Sequence, residues 1–321
     1  MDIQAQKKSE YDGLLALSRK ARLRRSASRN IPLLIMLLPG ILFLISNNYL
    51  PMFGILIAFK KVNFSIGIIK SPWNGFENFK FLFATRDAWI MVRNTLLYNF
   101  IWMLIGLFIA VAIALLMAEI SNRRIAKLIQ PIICFPSMIS AVILSYIVYG
   151  FLSTTYGYLN SSVISGNPIN WYSSARYWPV ILTIVHFWQS AGQSSIIYMA
   201  SISGIDKSLF ESARIDGANK MSQIRYITIP LIRHTIILLT LMSVGRIFNS
   251  DFGLFYQVTL NSGMLYSTTQ TIDTYVYRAL LEMNNVGMSS AASVFQAILG
   301  FILVLLSNAI VRKVDSDSAL F

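Results

Sequence analysis

The sequence is poor in charge and in the residues that usually carry out chemistry. Only 13% of its 321 residues are Asp, Glu, Lys or Arg, about half the share that is usual in a soluble domain. It has two histidines and one cysteine, Cys134, which excludes an internal disulfide. No grouping of His, Cys, Asp and Glu has the spacing of a metal site, so we predict neither a metal ion nor a cofactor.

What the sequence has in excess is apolar surface. Hydrophobic residues make up 55% of the chain, more than a soluble fold of this size could bury, whereas lipid tails solvate outward-facing apolar side chains. An apolar run in contact with lipid must be helical because no water is present to satisfy its backbone. We therefore predict an all-α, polytopic membrane protein with about six transmembrane helices, at about 31–58, 95–118, 128–151, 177–200, 231–249 and 290–311.

The distribution of positive charge predicts the orientation of these spans. Of the 27 lysines and arginines, 18 fall in segments that would be cytoplasmic if both termini lie inside, as the positive-inside rule requires. On this basis residues 1–30 are a basic cytoplasmic tail rather than a cleavable signal. Residues 31–313 are the membrane domain, and 314–321 are a second cytoplasmic tail. This placement explains the net charge of +13 without nucleic-acid binding, which we do not predict.

The segment 204–230, between the fourth and fifth predicted spans, has the pattern of two short helices joined by a turn. Ser208 followed by Glu211 predicts a capping box at the start of the first helix, and Asp206 is a competing N-cap. Gly217 suits the left-handed residue that ends such a helix. Because a short helix is marginal alone, its apolar residues must pack either on the protein's own spans or on a partner.

The same segment resembles a known family. Glu211, Ser212 and Ala213 are followed after three residues by Gly217, and after nine more by 227–230, Ile-Thr-Ile-Pro. This pattern resembles the conserved loop of ABC-importer permeases, with Ser212 where the family usually has alanine. The resemblance implies that 204–230 is the coupling loop, whose helix sits in a cleft of the ATP-binding subunit. The implied contact residues are Glu211, Ser212, Ala213, Asp216 and Gly217.

Other stretches narrow the resemblance to one branch of the family. They resemble the polysaccharide and oligosaccharide permeases of the maltose-importer type, a branch that includes permeases of alginate importers. The resemblance covers about 31–313 and is carried outside the loop by 38–40, 49–60, 93–95, 249–259, 274–278 and 287–292.

This resemblance implies a set of partners in a bacterial cytoplasmic membrane. They are a second homologous permease, two ATP-binding subunits and an extracytoplasmic solute-binding protein that delivers an oligosaccharide, with membrane lipid around the spans. The sequence contains no GxxxxGK[ST] motif, which is the usual phosphate-binding loop of such ATPases. The chain is therefore predicted not to be an enzyme, and ATP hydrolysis would belong to a partner.

Polar side chains within or beside the spans are the candidates for a solute path. They are Gln189 and Gln193 in the fourth span, and Arg246, Asn249 and Asp251 at the outer end of the fifth. Such residues either line a path and bind the solute or hold neighbouring helices together. Arg246 in particular is either a pathway residue or the ion-pair partner of Asp251.

The outer segments hold nine Lys and Arg against five Asp and Glu. A basic entrance concentrates an anionic substrate, whereas a neutral oligosaccharide would use amide and aromatic groups instead, and both remain open. The alternative function is a secondary transporter driven by an ion gradient. That class commonly shows internal repeats and midplane carboxylates, but the predicted spans contain no Asp or Glu and no clear repeat. An intramembrane enzyme would need more catalytic groups than His186.

Overall fold

The computed structural model describes residues 30–314 except positions 32, 34, 121, 165 and 166. The two predicted tails therefore lie almost wholly outside the described residues. The chain divides into two compact units, Met1–Leu56 and Ile57–Phe321. The first unit contains most of an apolar helix, α1 (Ile35–Phe59). Its middle widens to a π-helical segment, Ile45–Tyr49, just before Pro51. Single-turn π-bulges of this kind are rare and occur mostly inside α-helices, and this one lies next to a proline that cannot donate a backbone hydrogen bond.

The second unit is also built of helices. Its described residues contain no strand, only one isolated antiparallel bridge between Lys60 and Trp73. The all-α prediction is therefore confirmed. Its longer helices are α2 (Arg86–Ala118), α3 (Arg123–Cys134), α4 (Ala141–Leu152), α5 (Trp178–Ser203), α6 (Lys207–Ile215), α7 (Lys220–Leu231), α8 (Arg233–Gly245), α9 (Ile272–Leu281) and α10 (Val286–Val314).

Each predicted span is helical over most of its length, but the third is broken by a bend and the fifth begins at one. In the described part of the chain, α1, α2 and α10 are long and apolar enough to cross a membrane, and two bent helix pairs bring the number to five. One pair is α3, extended to Met138, with α4, bent by 93°; the other is α7 with α8, bent by 60°. The remaining predicted span is α5, a continuous helix of 26 residues. Its apolar sequence is interrupted by three polar residues, His186, Gln189 and Gln193.

Large apolar side chains cover the outside of the spans. Phe108 and Leu116 on α2 are 73% and 70% exposed, and Phe301 on α10 is 65% exposed. A soluble protein would not present such continuous apolar surface to water. A bilayer is the solvent that this surface fits.

The helices are held together by aromatic packing and by close backbone contacts. Trp178 and Leu182 on α5 are fully buried in a cluster with Tyr98 and Trp102 on α2. Gly192 on α5 faces the backbone of α3, where an added β-carbon would lie 2.7 Å from Ile133 Cγ2 and closer still to its carbonyl. A second glycine contact joins α8 to α10: a β-carbon at residue 245 would lie 2.8 Å from the Val304 side chain. Small residues of this kind let membrane helices approach closely.

Candidate functional site: a solvent-facing helix and a polar cavity

The first candidate site is α6, whose start is fixed by Asp206. The Asp206 carboxylate accepts a hydrogen bond from the Ser208 backbone N–H at 2.9 Å, and this bond holds the pKa of Asp206 below its usual value. The predicted Ser208–Glu211 capping box is therefore wrong. A cap residue needs extended backbone, which Asp206 has with φ −62° and ψ 126°, whereas Ser208 already lies inside the helix.

The end of α6 is fixed by Gly217. This residue has φ +81°, so the predicted left-handed conformation is confirmed. The Gly217 N–H donates to the Arg214 carbonyl at 3.1 Å, and the Ala218 N–H donates to the Ala213 carbonyl at 2.8 Å. These two bonds form a Schellman motif, which satisfies carbonyls that the helix end would otherwise leave free.

The described part of the chain leaves most of α6 uncovered. None of its nine residues is buried, and Ile215 and Leu209 are 88% and 45% exposed. Beyond the turn, Met221 is 71% exposed. A helix of this length is not expected to be stable on its own. Of the two possibilities left open by the sequence, packing on a partner fits the described structure better than packing on the protein's own spans.

The segment that follows α6 is tied to the spans. Lys220 forms an ion pair with Glu119 at the end of α2. Asn219 caps α7 by accepting from the Ser222 N–H at 2.8 Å, and buried Gln223 donates to the Ala218 carbonyl at 3.1 Å. The segment after α6 is therefore continuous with the α7–α8 pair and is connected to α2 by an exposed ion pair.

The second candidate site is a cavity of about 400 Å³ among α2, α5 and α8. Each helix contributes polar as well as apolar groups to its walls. The lining includes Asn99, Trp102, His186, Ser190, Ser194, Thr240, Ser243, Arg246 and Asn249. Its size and mixed lining are those of a small-molecule site.

Two of the five predicted pathway residues line this cavity, Arg246 and Asn249. The other three lie outside the lining. Gln189 donates to the Ile139 carbonyl at 3.0 Å, at the bend between α3 and α4. Asp251 accepts from the Leu254 N–H at 3.0 Å and so begins the next helical turn, and Gln193 is exposed elsewhere on α5.

Arg246 does not form the ion pair with Asp251 that the sequence left open. Among the described residues the ion pairs are Lys80–Glu77 and Lys220–Glu119, so Arg246 is not bonded to Asp251. The sequence reasoning also missed Asn99. Asn99 could have been found because it is an amide in an otherwise apolar span. Burying such an amide is costly unless it faces a cavity or another helix.

A multi-span helical protein with a polar cavity between its spans fits the class of membrane transport proteins. Residues 106–316 match the family described as the inner membrane component of binding-protein-dependent transport systems. The chain belongs to this family. It is accordingly a multi-pass protein of the inner membrane and an ABC-transporter permease, and the match favours this class over an ion-gradient transporter.

Curated relatives match nearly the whole chain. Protein LplB of Bacillus subtilis (strain 168) is 31% identical over 287 residues, which are 89% of this chain and 90% of the relative. The polygalacturonan/rhamnogalacturonan transport system permease protein YteP of the same organism is also 31% identical, over 89% of each chain.

Two solved structures have the same fold. A chain of a bacterial ABC transporter involved in the import of the acidic polysaccharide alginate aligns with a TM-score of 0.83 and 31% identity, covering 92% of this chain and 99% of that one. A chain of a bacterial alginate ABC transporter in complex with an alginate pentasaccharide-bound periplasmic protein aligns with a TM-score of 0.82 and 30% identity, covering 91% and 98%.

Proposed function

We propose that this chain is a transmembrane permease subunit of an ATP-driven importer and passes an acidic oligosaccharide into the cell. It pairs with a second, homologous permease and with two ATP-binding subunits, and an extracytoplasmic solute-binding protein delivers the substrate. ATP is hydrolysed by the ATP-binding subunits, because this sequence contains no phosphate-binding loop of the GxxxxGK[ST] type.

The observation that carries this proposal is the exposed, doubly capped helix α6. Its apolar residues, with Ile215 88% exposed, are available to a partner, while the Lys220–Glu119 ion pair ties the following segment to α2. Closure of an ATP-binding subunit around α6 would therefore move the helices that line the cavity. The residues Glu211, Ser212, Ala213, Asp216 and Gly217 form the contact surface.

The acidic substrate class is supported by the relatives and by the charge of the chain. One relative is named for polygalacturonan and rhamnogalacturonan, and two structural matches concern alginate. The segments assigned to the outer side hold nine Lys and Arg against five Asp and Glu. A positive entrance raises the local concentration of an anionic substrate.

Cysteine labelling tests both the coupling site and the orientation. In a Cys134→Ala background, Ile215→Cys should react with a membrane-impermeant maleimide only from the cytoplasmic side, and the assembled ATP-binding subunits should protect it. Ile69→Cys is the matched control, since Ile69 is 90% exposed in a segment assigned to the outside. It should react from the outside whether or not the ATP-binding subunits are present. Labelling of position 215 from outside would refute the orientation, and equal labelling with and without the ATP-binding subunits would refute the coupling site.

A further inference from the structure

The cavity contains one permanent charge. Of the described residues that line it, Arg246 alone carries a formal charge, and its side chain is exposed to the cavity space. Arg246 is the C-cap of α8, directly after Gly245, where α8 packs closely on α10. The backbone position of Arg246 is therefore fixed by helix packing, while its side chain stays free to reach into the cavity.

The guanidinium of Arg246 has no protein partner among the described residues. It takes part in neither of the ion pairs found there, which join Lys80 to Glu77 and Lys220 to Glu119. The two acidic groups nearest along the chain are already engaged: Asp251 caps the turn at Leu254, and Asp273 accepts from the backbone and hydroxyl of Ser250 at 2.6 and 2.7 Å.

The side-chain amides of Asn99 and Gln296 are also already hydrogen-bonded, mainly to backbone carbonyls of the segment after Arg246. The Asn99 amide donates to the carbonyls of Ile247 and Asn249 at 2.9 and 3.0 Å. The Gln296 amide donates to the Phe248 carbonyl at 2.8 Å and to Asn249 Oδ1 at 3.0 Å. These bonds hold the segment that follows Arg246 in place, and none of them uses the Arg246 guanidinium.

Three hydroxyls of the cavity already donate their proton within their own helices. Ser190, Thr240 and Ser243 each donate to the carbonyl four residues earlier in their own helix, at 2.7 to 2.9 Å. What these three hydroxyls can offer the cavity is acceptor lone pairs. Arg246 is the charged donor of the cavity, and its planar donors match a carboxylate, a group made only of acceptors.

We infer that Arg246 is the residue that selects for acidic substrates, by pairing with the carboxylate of a uronate unit as the oligosaccharide passes through the cavity. This inference rests on the proposed function and adds to it the residue that recognises the charge. An arginine at membrane depth is costly unless it faces a water-filled cavity and finds a partner. The moving substrate supplies that partner only while it is in the cavity.

The test compares the salt dependence of two proteins, because ionic pairing weakens as the Debye length falls from about 10 Å at 0.1 M to about 3 Å at 1 M. ATPase stimulation by a saturating binding protein loaded with oligogalacturonate, and separately with alginate oligosaccharide, is measured on the reconstituted complex. Salt also weakens docking of the binding protein, but equally for wild type and Arg246→Gln. The ratio of their stimulated ATPase activities therefore reports the contribution of Arg246 alone. Arg246→Lys and Lys61→Gln are the controls. Arg246→Lys keeps a positive charge in the cavity. Lys61→Gln removes a positive charge at an exposed position outside the cavity.

We expect Arg246→Gln to lower the stimulated activity about tenfold relative to wild type at low salt, with the ratio of the two activities approaching one near 1 M. Arg246→Lys should retain part of the activity, and Lys61→Gln should show no such salt-dependent loss. A loss for Arg246→Gln that is the same at every salt concentration, or no loss at all, overturns the inference and leaves the proposed function standing. If the wild-type complex is not stimulated by either acidic oligosaccharide, the proposed substrate class fails, and the inference fails with it.

Discussion

Gly217→Val is expected to leave the protein in the membrane but to lower ATP-driven uptake about tenfold. Gly217 has φ +81°, and a branched side chain in this left-handed region costs roughly 1–2 kcal/mol, which is about a factor of ten in an equilibrium. The turn between α6 and α7 would open, so the docking helix would lose its fixed position. Uptake is measured in proteoliposomes that contain equal amounts of the complex.

The matched control for this change is Gly217→Asn. No atom lies within 4 Å of a β-carbon built at this position, so the backbone conformation is the only obstacle, and asparagine tolerates it better than other residues do. Gly217→Asn should therefore retain most of the uptake. Equal loss in both variants would show that side-chain size at the partner surface, and not the turn, is what matters.

Gly192→Ala is expected to have the largest effect on folding. The added methyl group would lie 2.7 Å from Ile133 Cγ2 and closer still to the Ile133 backbone. Overpacking in a close-packed interior usually costs 1–3 kcal/mol, and backbone cannot move aside as easily as a side chain. We expect the fraction of protein that elutes as a monodisperse peak after detergent extraction to fall by about tenfold or more.

Gly150→Ala provides the comparison for the Gly192 variant. It is the same substitution within a helix, but a β-carbon at position 150 meets nothing within 4 Å. Alanine also has a higher helix propensity than glycine, so this variant should be extracted and should elute like the wild type. Normal elution of Gly192→Ala would mean that α3 and α5 are not in close contact in the membrane.

The sequence reasoning succeeded where a local rule decides the structure. The apolar runs located the helices because every span must satisfy its backbone internally, and Gly217 was placed correctly because few residues other than glycine adopt its φ angle. It failed at the start of α6, where both Asp206 and Ser208 fitted capping patterns. In the structure α5 ends at Ser203 and Asp206 has the extended backbone that an N-cap needs. The sequence pattern alone does not show where the chain becomes extended after α5.

The bends and the cavity depend on packing between distant segments. The third predicted span looks continuous in hydropathy, but Ile139 is extended, and Ser140 begins a new helix by accepting from the Ile143 N–H at 3.4 Å. Gln189, predicted as a pathway residue, donates a hydrogen bond to the carbonyl of Ile139 at this bend. This contact could not be predicted from the sequence, because it depends on the bend between α3 and α4. The cavity needs α2, α5 and α8 side by side, which no spacing within one helix predicts.

The most direct test of the account asks what energy source drives import. The complete complex, with its solute-binding protein outside, is reconstituted in liposomes that contain ATP and an ionophore that abolishes ion gradients. We predict accumulation of labelled oligogalacturonate or alginate oligosaccharide under these conditions, and none when ATP is replaced by a non-hydrolysable analogue. Uptake that requires a proton or sodium gradient and proceeds without ATP would contradict the account.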